Sequence, residues 1–159
     1  MISLTDSEIK ESIKILETLL ANTYLLALKT QNCHWNIVSP TFSMLHEFFG
    51  NQYEALSDAN DEIAERIRML GGKTPATFQE FLKLTTLKEN NNLQTAEAMI
   101  KVLLSDHEQI ISELHAALKA LDRSTDEGTI DFLIGRLRDH EKISWMLRSH
   151  LTLNQQPNY

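Results

Sequence analysis

The sequence predicts an all-α protein with four long helices and one short extra helix in the connection between the second and third. Two features of composition favour this class, namely 42% hydrophobic residues and only 5 Gly and 3 Pro in 159 residues. The third feature is periodicity, because apolar residues recur at spacings of three and four, and no run alternates as a strand would. The length suits a single domain covering residues 1–159.

The first helix is predicted to run from the capping residue Thr5 to about Asn36. Thr5 and Glu8 have the spacing of a capping box, in which each side chain accepts a hydrogen bond from the other's backbone N–H. An apolar stripe follows at Ile9, Ile13, Leu16, Leu20, Tyr24 and Ala27. We expect this stripe to face the core.

The second helix is predicted to start with Ser39 as its N-cap and Pro40 in the first helical position. Its expected core face consists of Leu45, Phe49, Tyr53, Leu56, Ile63, Ile67 and Leu70. Gly71 and Gly72 predict its end at about Leu70, since glycine readily adopts the conformation that terminates a helix.

The segment from Lys73 to Asn92 is too long for an ordinary helix hairpin. A second capping box, Thr77 with Glu80, predicts a short helix there at about 78–84. The last two long helices are indicated by the stripes Ile100, Leu103, His107, Ile110, Leu114, Leu118 and Ile130, Leu133, Leu137, Leu147, Leu151. Four long helices with a long crossover in the middle match a ferritin-like bundle better than an up-and-down bundle.

Charge and cysteine content exclude several functional classes. The net charge is −7 and the pI is about 5.3, so the whole chain does not suggest a nucleic-acid or anionic-membrane surface. The single Cys33 cannot form an internal disulfide, no signal-peptide pattern opens the chain, and no apolar run is long enough to span a membrane. We therefore expect a cytoplasmic protein without a membrane segment.

Two groups of candidate metal ligands lie in the second helix and just before it. Asp58, Asp61, Glu62 and Glu65 follow an i, i+3, i+4, i+7 pattern, so they share about a third of the helix circumference. Four acids packed this closely repel each other unless a cation relieves them. His34 and His46 flank the Ser-Pro break, and they are the imidazoles nearest to these acids.

Distance separates the two groups within one chain. His46 and Asp61 are fifteen residues apart on one predicted helix, which is about 22 Å along its axis. No single metal spans that gap. Either the two groups are unrelated, with the acids forming a solvated face, or a second copy runs antiparallel and brings its acids to these histidines. A two-fold dimer would create two equivalent sites of this kind.

A metal site inside a single bundle is disfavoured by the histidine spacing. Di-iron bundles use Glu-x-x-His pairs, but the residues three before the six histidines are Gln31, Ser43, Leu104, Ser112, Leu137 and Leu147. His107 lies on an apolar stripe and is expected to be a hydrogen-bonded core residue. Mixed imidazole and carboxylate ligands suit Fe(II), Mn(II) or Zn(II), and the absence of an obvious nucleophile points to oxidation of the metal itself.

Several motifs together resemble the Dps family, the bacterial mini-ferritins. They are His34-Trp35-Asn36, His46 twelve residues later, the run Asp61 to Arg66, the stop Leu70-Gly71-Gly72, Asp106-His107-Glu108 and Trp145-Met146-Leu147. The resemblance covers almost the whole chain. It implies a hollow dodecamer that oxidises Fe(II), preferably with hydrogen peroxide, and stores the ferric mineral inside to protect the cell from oxidative damage.

The resemblance also implies roles for particular residues. His34 and His46 of one chain, with Asp61 and Glu65 of its two-fold partner, would form the ferroxidase centre. Asp126 and Asp131 match acids that line iron-entry pores in relatives, although acids at the start of a helix are also expected from the helix dipole.

The chain departs from the family pattern in two places. Gly50 stands where relatives commonly carry Asp or Glu, which implies a weaker second metal subsite or a metal-binding shell with impaired oxidation. The chain also lacks a basic terminal arm, since residues 1–9 contain no Lys or Arg and residues 151–159 contain no charge. A DNA-binding, nucleoid-protecting role is the rival function, and it is disfavoured because phosphate binding needs clustered cations.

Overall fold

The computed structural model describes residues 4–151, which form five α-helices and no strand in that range. In chain order the helices are α1 (Asp6–Asn36), α2 (Phe42–Met69), α3 (Phe78–Leu84), α4 (Ala96–Ala120) and α5 (Glu127–Ser149). The prediction of four long helices with a short helix between the second and third is therefore confirmed. None of the helices in the described range is long and apolar enough to cross a membrane.

Both predicted capping boxes are present. The Thr5 hydroxyl accepts a bond from the Glu8 backbone N–H, while the Glu8 carboxylate accepts the Thr5 N–H, and this pair opens α1. Thr77 and Glu80 form the same arrangement at the start of α3. These local signals set the helix starts because they satisfy backbone donors that have no partner within the helix.

The predicted start of α2 is wrong by two residues. The N-cap is Thr41 rather than Ser39, and the helix begins at Phe42. Ser39 instead closes a tight turn around Pro40, because its carbonyl accepts the Phe42 N–H at 3.0 Å and its hydroxyl accepts the Thr41 N–H at 3.2 Å. The turn uses the fixed backbone of Pro40 outside the helix.

The predicted end of α2 is confirmed. Gly71 has φ +86°, a left-handed conformation that favours glycine. The Gly72 N–H reaches the Ile67 carbonyl at 3.0 Å, and the Gly71 N–H reaches the Arg68 carbonyl at 3.0 Å. These two bonds form a Schellman motif, which caps otherwise unsatisfied carbonyls.

The helices pack as two long pairs around one core. α1 lies along α2, α4 lies along α5, and α1 also contacts α3 and α4. The largest fully buried side chains include Leu16, Leu20, Phe49, Leu56, Ile63, Ile67, Leu103, Ile110, Leu133 and Leu147. One predicted core residue lies at the edge instead, since Tyr24 is 44% exposed and stacks on Phe81 of α3. Other predicted core residues are only half-buried, namely Ile9, Ile13, Tyr53, Leu118 and Ile130.

A polar network holds the long connection against the bundle. The Asn22 side-chain carbonyl accepts bonds from the Thr85 hydroxyl at 2.7 Å and the Thr86 N–H at 2.9 Å. The Asn22 amide donates to Glu113 of α4 at 2.9 Å. Because Asn22 is buried, these bonds fix the segment that follows α3 relative to α1 and α4.

Candidate metal centre

His34 and His46 lie face to face where α1 ends and α2 begins. His34 is in the last turn of α1, His46 is in the second turn of α2, and the buried Ile37 anchors the short connection between them. The imidazole rings stack with centroids 3.7 Å apart and planes inclined by 18°. The structure therefore brings together the two histidines that the sequence nominated as ligands.

Reciprocal hydrogen bonds fix both rings. Nδ1 of His34 lies 2.6 Å from the His46 carbonyl oxygen, and Nδ1 of His46 lies 2.8 Å from the His34 carbonyl oxygen. A carbonyl only accepts, so each Nδ1 carries its proton and donates it. In the neutral ring, Nε2 then carries the lone pair and is the atom that can coordinate a metal. Backbone carbonyls orient metal-binding histidines in the same way.

Local helix geometry explains why these carbonyls are available. The His34 carbonyl belongs to the last four of α1, which have no partner inside the helix. The His46 carbonyl lies inside α2, where Gly50 one turn later leaves the helix surface bare. The His34 ring can therefore approach the second lone pair of that oxygen.

Aromatic side chains form the walls around the histidine pair. Phe42 stacks on His46 with centroids 5.0 Å apart, and Tyr53 meets His34 edge-on at 5.3 Å. Both histidines are half-buried, so they combine a fixed orientation with an opening to the surface. The arrangement is that of a ligand pair that presents two nitrogen donors.

The acidic stripe lies elsewhere on α2. Asp58, Asp61, Glu62 and Glu65 are all exposed, and α2 is one continuous helix, so the distance from His46 to Asp61 is about 22 Å along its axis. Among residues 4–151, no group of three or more His, Cys, Asp or Glu lies close enough to hold a metal ion. One chain thus separates the nitrogen donors from the carboxylates.

The two acids predicted to line a pore differ from each other. Asp126 is only 3% exposed; it bonds Arg66 at 2.6 Å, accepts the Ser12 hydroxyl at 2.7 Å and accepts the Thr129 N–H at 3.1 Å. Burial raises the pKa of Asp126, but these bonds and the Arg66 charge together lower it below its usual range. Asp126 therefore joins α1, α2 and α5, and its role in an iron-entry pore stays a prediction. Asp131 is exposed.

A second histidine pair is buried between α4 and α5. His107 and His140 are 1% and 0% exposed, and their Nδ1 atoms lie 2.8 Å apart. One Nδ1 donates and the other accepts, so the rings hold opposite tautomers. The prediction of His107 as a hydrogen-bonded core residue is confirmed. Sequence reasoning missed His140, although the spacing Leu133, Leu137, His140, Ser144, Leu147 is a regular buried stripe.

The surroundings of this second pair disfavour a positive charge. Burial lowers the pKa of His107 to about 3, and the Arg136 cation acts in the same direction. Burial, His107 and Arg136 lower the pKa of His140 well below its usual value. Arg136 itself pairs with Asp139 at 3.0 Å. Both rings are therefore neutral structural groups.

Another buried polar group also escaped sequence reasoning. Lys29 of α1 forms an ion pair with Asp106 of α4, and the Lys29 ammonium also donates to the Lys88 carbonyl at 2.7 Å. Cys33 lies nearby, and burial raises the pKa of its thiol to about 12. A protonated, buried thiol is a poor ligand and a poor nucleophile. This group ties α1 to α4 and is separate from the candidate centre.

Comparison with known proteins gives consistent relatives along nearly the whole chain. A ferritin-like domain family matches residues 13–156. An uncharacterised low temperature-induced protein of Nostoc is 42% identical over 94% of this chain and 85% of its own length. DNA protection during starvation protein 2 of Bacillus anthracis is 37% identical over 89% of this chain and 97% of its own length. The crystal structure of a Vibrio cholerae Dps protein, described as a member of the ferritin-like diiron-carboxylate superfamily, superposes with a TM-score of 0.89 at 28% identity, covering 94% of both chains.

Proposed function

Because this chain belongs to the Dps family of ferritin-like proteins, we propose that it oxidises Fe(II) with hydrogen peroxide and stores the ferric product. Iron storage and protection from oxidative damage are the general role that the family relation supports. The observation that carries the proposal is the histidine pair, with both Nδ1 atoms bound to backbone carbonyls and both Nε2 atoms left for a metal.

The proposed centre takes ligands from two chains. His34 and His46 of one copy supply nitrogen, and Asp61 and Glu65 of a second copy supply oxygen. The distance of about 22 Å along α2 supports this division, because an antiparallel copy places one chain's acids beside the other's histidines. A two-fold arrangement gives two equivalent centres, and we propose a dodecameric shell built from such dimers.

An exposed apolar surface next to the histidine pair supports the position of the second copy. A groove of about 470 Å³ runs between α1, α2 and α3, and Tyr53 lies both in this groove and against the His34 ring. Its apolar lining includes Tyr24, Leu28, Phe78 and Leu82, of which Phe78 is 81% exposed. Apolar surface of this kind is typical of a subunit contact.

The proposed reaction uses Fe(II) as substrate and peroxide as the electron acceptor. One peroxide takes one electron from each of two Fe(II) ions and, with two protons, becomes two waters. No hydroxyl radical is released when both electrons arrive together. Consuming Fe(II) and peroxide in one step removes both reagents that damage DNA, so protection does not require DNA binding.

The ligands of the centre must also release iron, so that it can move from the centre to the store. The exposed carboxylates of Asp58 and Glu62 belong to the same acidic stripe as the proposed ligands, and Asp131 is the exposed acid proposed for the entry pore. Zn(II) and Mn(II) suit the same imidazole and carboxylate donors. In this proposal they are competitors for the site, and iron is the cargo.

Complementation between two inactive chains tests the shared centre. We expect a His34→Ala/His46→Ala chain and an Asp61→Ala/Glu65→Ala chain each to lose Fe(II) oxidation. Mixed dimers contain one intact centre, so mixing after subunit exchange should restore part of the activity. The measurement is ferric absorbance after peroxide is added to anaerobic, Fe(II)-loaded protein.

The matched control mixes each mutant chain with itself through the same exchange procedure, and no activity should return. Subunit exchange is verified by mass spectrometry of isotopically labelled chains. Mixed dimers that form in statistical proportion but remain inactive would contradict a centre shared between chains.

Direct DNA binding is the rival suggested by the name of the Bacillus anthracis relative. We expect no duplex retardation in a gel-shift titration near physiological salt, because the net charge is −7 and the first nine and last nine residues carry no Lys or Arg. Retardation at neutral pH without bridging cations would favour the rival.

A further inference from the structure

Gly50 has no conformational reason to be glycine. It lies in the interior of α2, it is buried, and its φ is not positive. Glycine is less favourable in a helix interior than any other residue except proline. A glycine at such a position therefore calls for a spatial reason.

The spatial reason is the His34 ring. A Cβ added at Gly50 would lie 3.1 Å from His34 Cε1 and 3.2 Å from His34 Nδ1. Carbon atoms in optimal contact are about 3.5–4.0 Å apart, so the ring would have to move. Of the three helical glycines, Gly128 and Gly50 meet neighbouring side chains, whereas Gly135 in α5 meets nothing within 4 Å.

The His34 ring has little room to move without losing contacts. Its Nδ1 donates to the His46 carbonyl at 2.6 Å, and its face stacks on the His46 ring at 3.7 Å. Tyr53 contacts its edge. Displacement away from residue 50 lengthens the bond to the His46 carbonyl, which lies on the same side of α2, and rotates Nε2 away from its present direction.

We propose that Gly50 is a positioning residue for His34. By leaving α2 bare one turn after His46, it lets His34 bond the His46 carbonyl and holds Nε2 in the direction required of a ligand. The same closeness means that a carboxylate side chain at position 50 would have to displace the His34 ring from its present contacts. This inference rests on the proposed function insofar as His34 binds metal.

A pair of glycine substitutions tests the inference on the assembled, metal-free protein with Co²⁺ as a redox-stable probe. Gly50→Ala should weaken Co²⁺ binding by roughly 10-fold or more, the range seen when ligand orientation is lost, and change its visible spectrum. Gly135→Ala is the matched control: it should bind Co²⁺ within about twofold of wild type and raise the melting temperature, because alanine favours a helix. Gly50→Ala should show no such rise.

Crystal structures of both variants complete the test. We expect the His34 Nδ1 bond to be lengthened or broken in Gly50→Ala and intact in Gly135→Ala. The inference is overturned if Gly50→Ala keeps its Co²⁺ affinity and gains stability as the control does. It is also overturned if Gly50→Asp binds additional Co²⁺ per centre while His34 stays in place.

Failure of the proposed function gives a different result. If the wild-type assembly binds no Co²⁺ or Fe(II), the metal centre is rejected. The positioning of His34 by Gly50 is then decided by the crystal structures alone: a displaced ring in Gly50→Ala supports it, and an unmoved ring overturns it.

Discussion

The protein contains two pairs of neighbouring histidines that differ in their burial and in the groups that their Nδ1 atoms bind. His34 and His46 are half-buried, and each Nδ1 donates to a backbone carbonyl. His107 and His140 are fully buried, and each Nδ1 is paired with the other. The first pair presents two Nε2 lone pairs beside an opening, whereas the second uses its polar atoms to hold α4 against α5.

The contrast indicates that the hydrogen-bond acceptor of each Nδ1 determines what a histidine pair can do. A backbone carbonyl fixes the tautomer of each ring and leaves the other nitrogen for coordination. A second imidazole fixes opposite tautomers for the two Nδ1 atoms, and Nε2 of His140 stays buried without a hydrogen-bond partner in the described part of the chain. Burial then prevents the second pair from accepting charge, because a buried cation beside Arg136 is unfavourable.

The rate of Fe(II) oxidation should distinguish the two histidine pairs more strongly than any other measurement. His34→Ala/His46→Ala should slow peroxide-driven Fe(II) oxidation by at least about 100-fold, because even loss of a group that only hydrogen-bonds a metal ligand costs roughly 10–100-fold. The unfolding free energy should change by less than about 1 kcal/mol, since half-buried polar side chains contribute little to the core. Oxidation is followed by stopped-flow absorbance, and stability by urea unfolding.

The matched variant is His107→Leu/His140→Leu. It should retain Fe(II) oxidation within a few fold, because neither ring belongs to the proposed centre. If this variant loses oxidation as completely as the first while still forming assembled shells, the functional distinction between the pairs is wrong.

The second prediction concerns the loss of folding stability at low pH that the buried pair causes. The unfolded chain binds protons at its histidines below pH 6.5, whereas the pKa of folded His107 is about 3. Stability due to His107 is therefore complete above pH 6.5 and falls by about 1.4 kcal/mol per pH unit as the pH decreases toward 3. Lowering the pH from 6.5 to 4.5 should cost about 2 kcal/mol, and His140 acts in the same direction.

Urea midpoints measured between pH 4.5 and 7.5 at one protein concentration test this. His107→Leu/His140→Leu should show a much smaller pH slope than wild type. Equal slopes of urea midpoint against pH in wild type and the leucine variant would show that the buried pair is not the source of the acid sensitivity.

Much of the fold is readable from local sequence signals. Thr5 with Glu8, Thr77 with Glu80, and Gly71 predict helix boundaries because each satisfies backbone groups within a few residues. The start of α2 was misassigned because Ser39 and Pro40 suit a turn as well as a helix start. Which turn forms depends on the bond from Phe42 to Ser39, which the sequence does not reveal.

The candidate site was only partly predictable. The spacing of His34 and His46 nominates both residues, but the bonds to opposing carbonyls depend on where α1 ends and on how closely it approaches α2. Gly50 stands for a missing ligand in the sequence, which does not reveal that a Cβ at this position would lie 3.1 Å from the His34 ring. The sequence also does not reveal that Ser12 and Arg66 bury Asp126, because this burial is a tertiary property.

The smallest expected effect concerns the aromatic wall of the first pair, which has no counterpart in the buried one. Phe42 stacks on the outer face of His46, and it is 45% exposed. Aromatic pairs contribute about 0.5–1.5 kcal/mol beyond their buried area, and partial exposure places this contact at the low end. Phe42→Leu should therefore weaken Co²⁺ binding only about two- to fivefold, by letting the His46 ring tilt.

Phe42→Tyr is the control that keeps the aromatic face, and it should retain wild-type affinity. Calorimetric titration of the assembled, metal-free protein compares the two variants directly. If the Phe42 ring only covered His46, Phe42→Leu should bind Co²⁺ as tightly as Phe42→Tyr, because leucine also excludes water. A ring that orients His46 makes leucine the weaker binder, since a branched aliphatic side chain offers no flat surface against which the imidazole can align. Equal affinities in Phe42→Leu and Phe42→Tyr would show that the carbonyl bond from Nδ1 alone holds His46 in position.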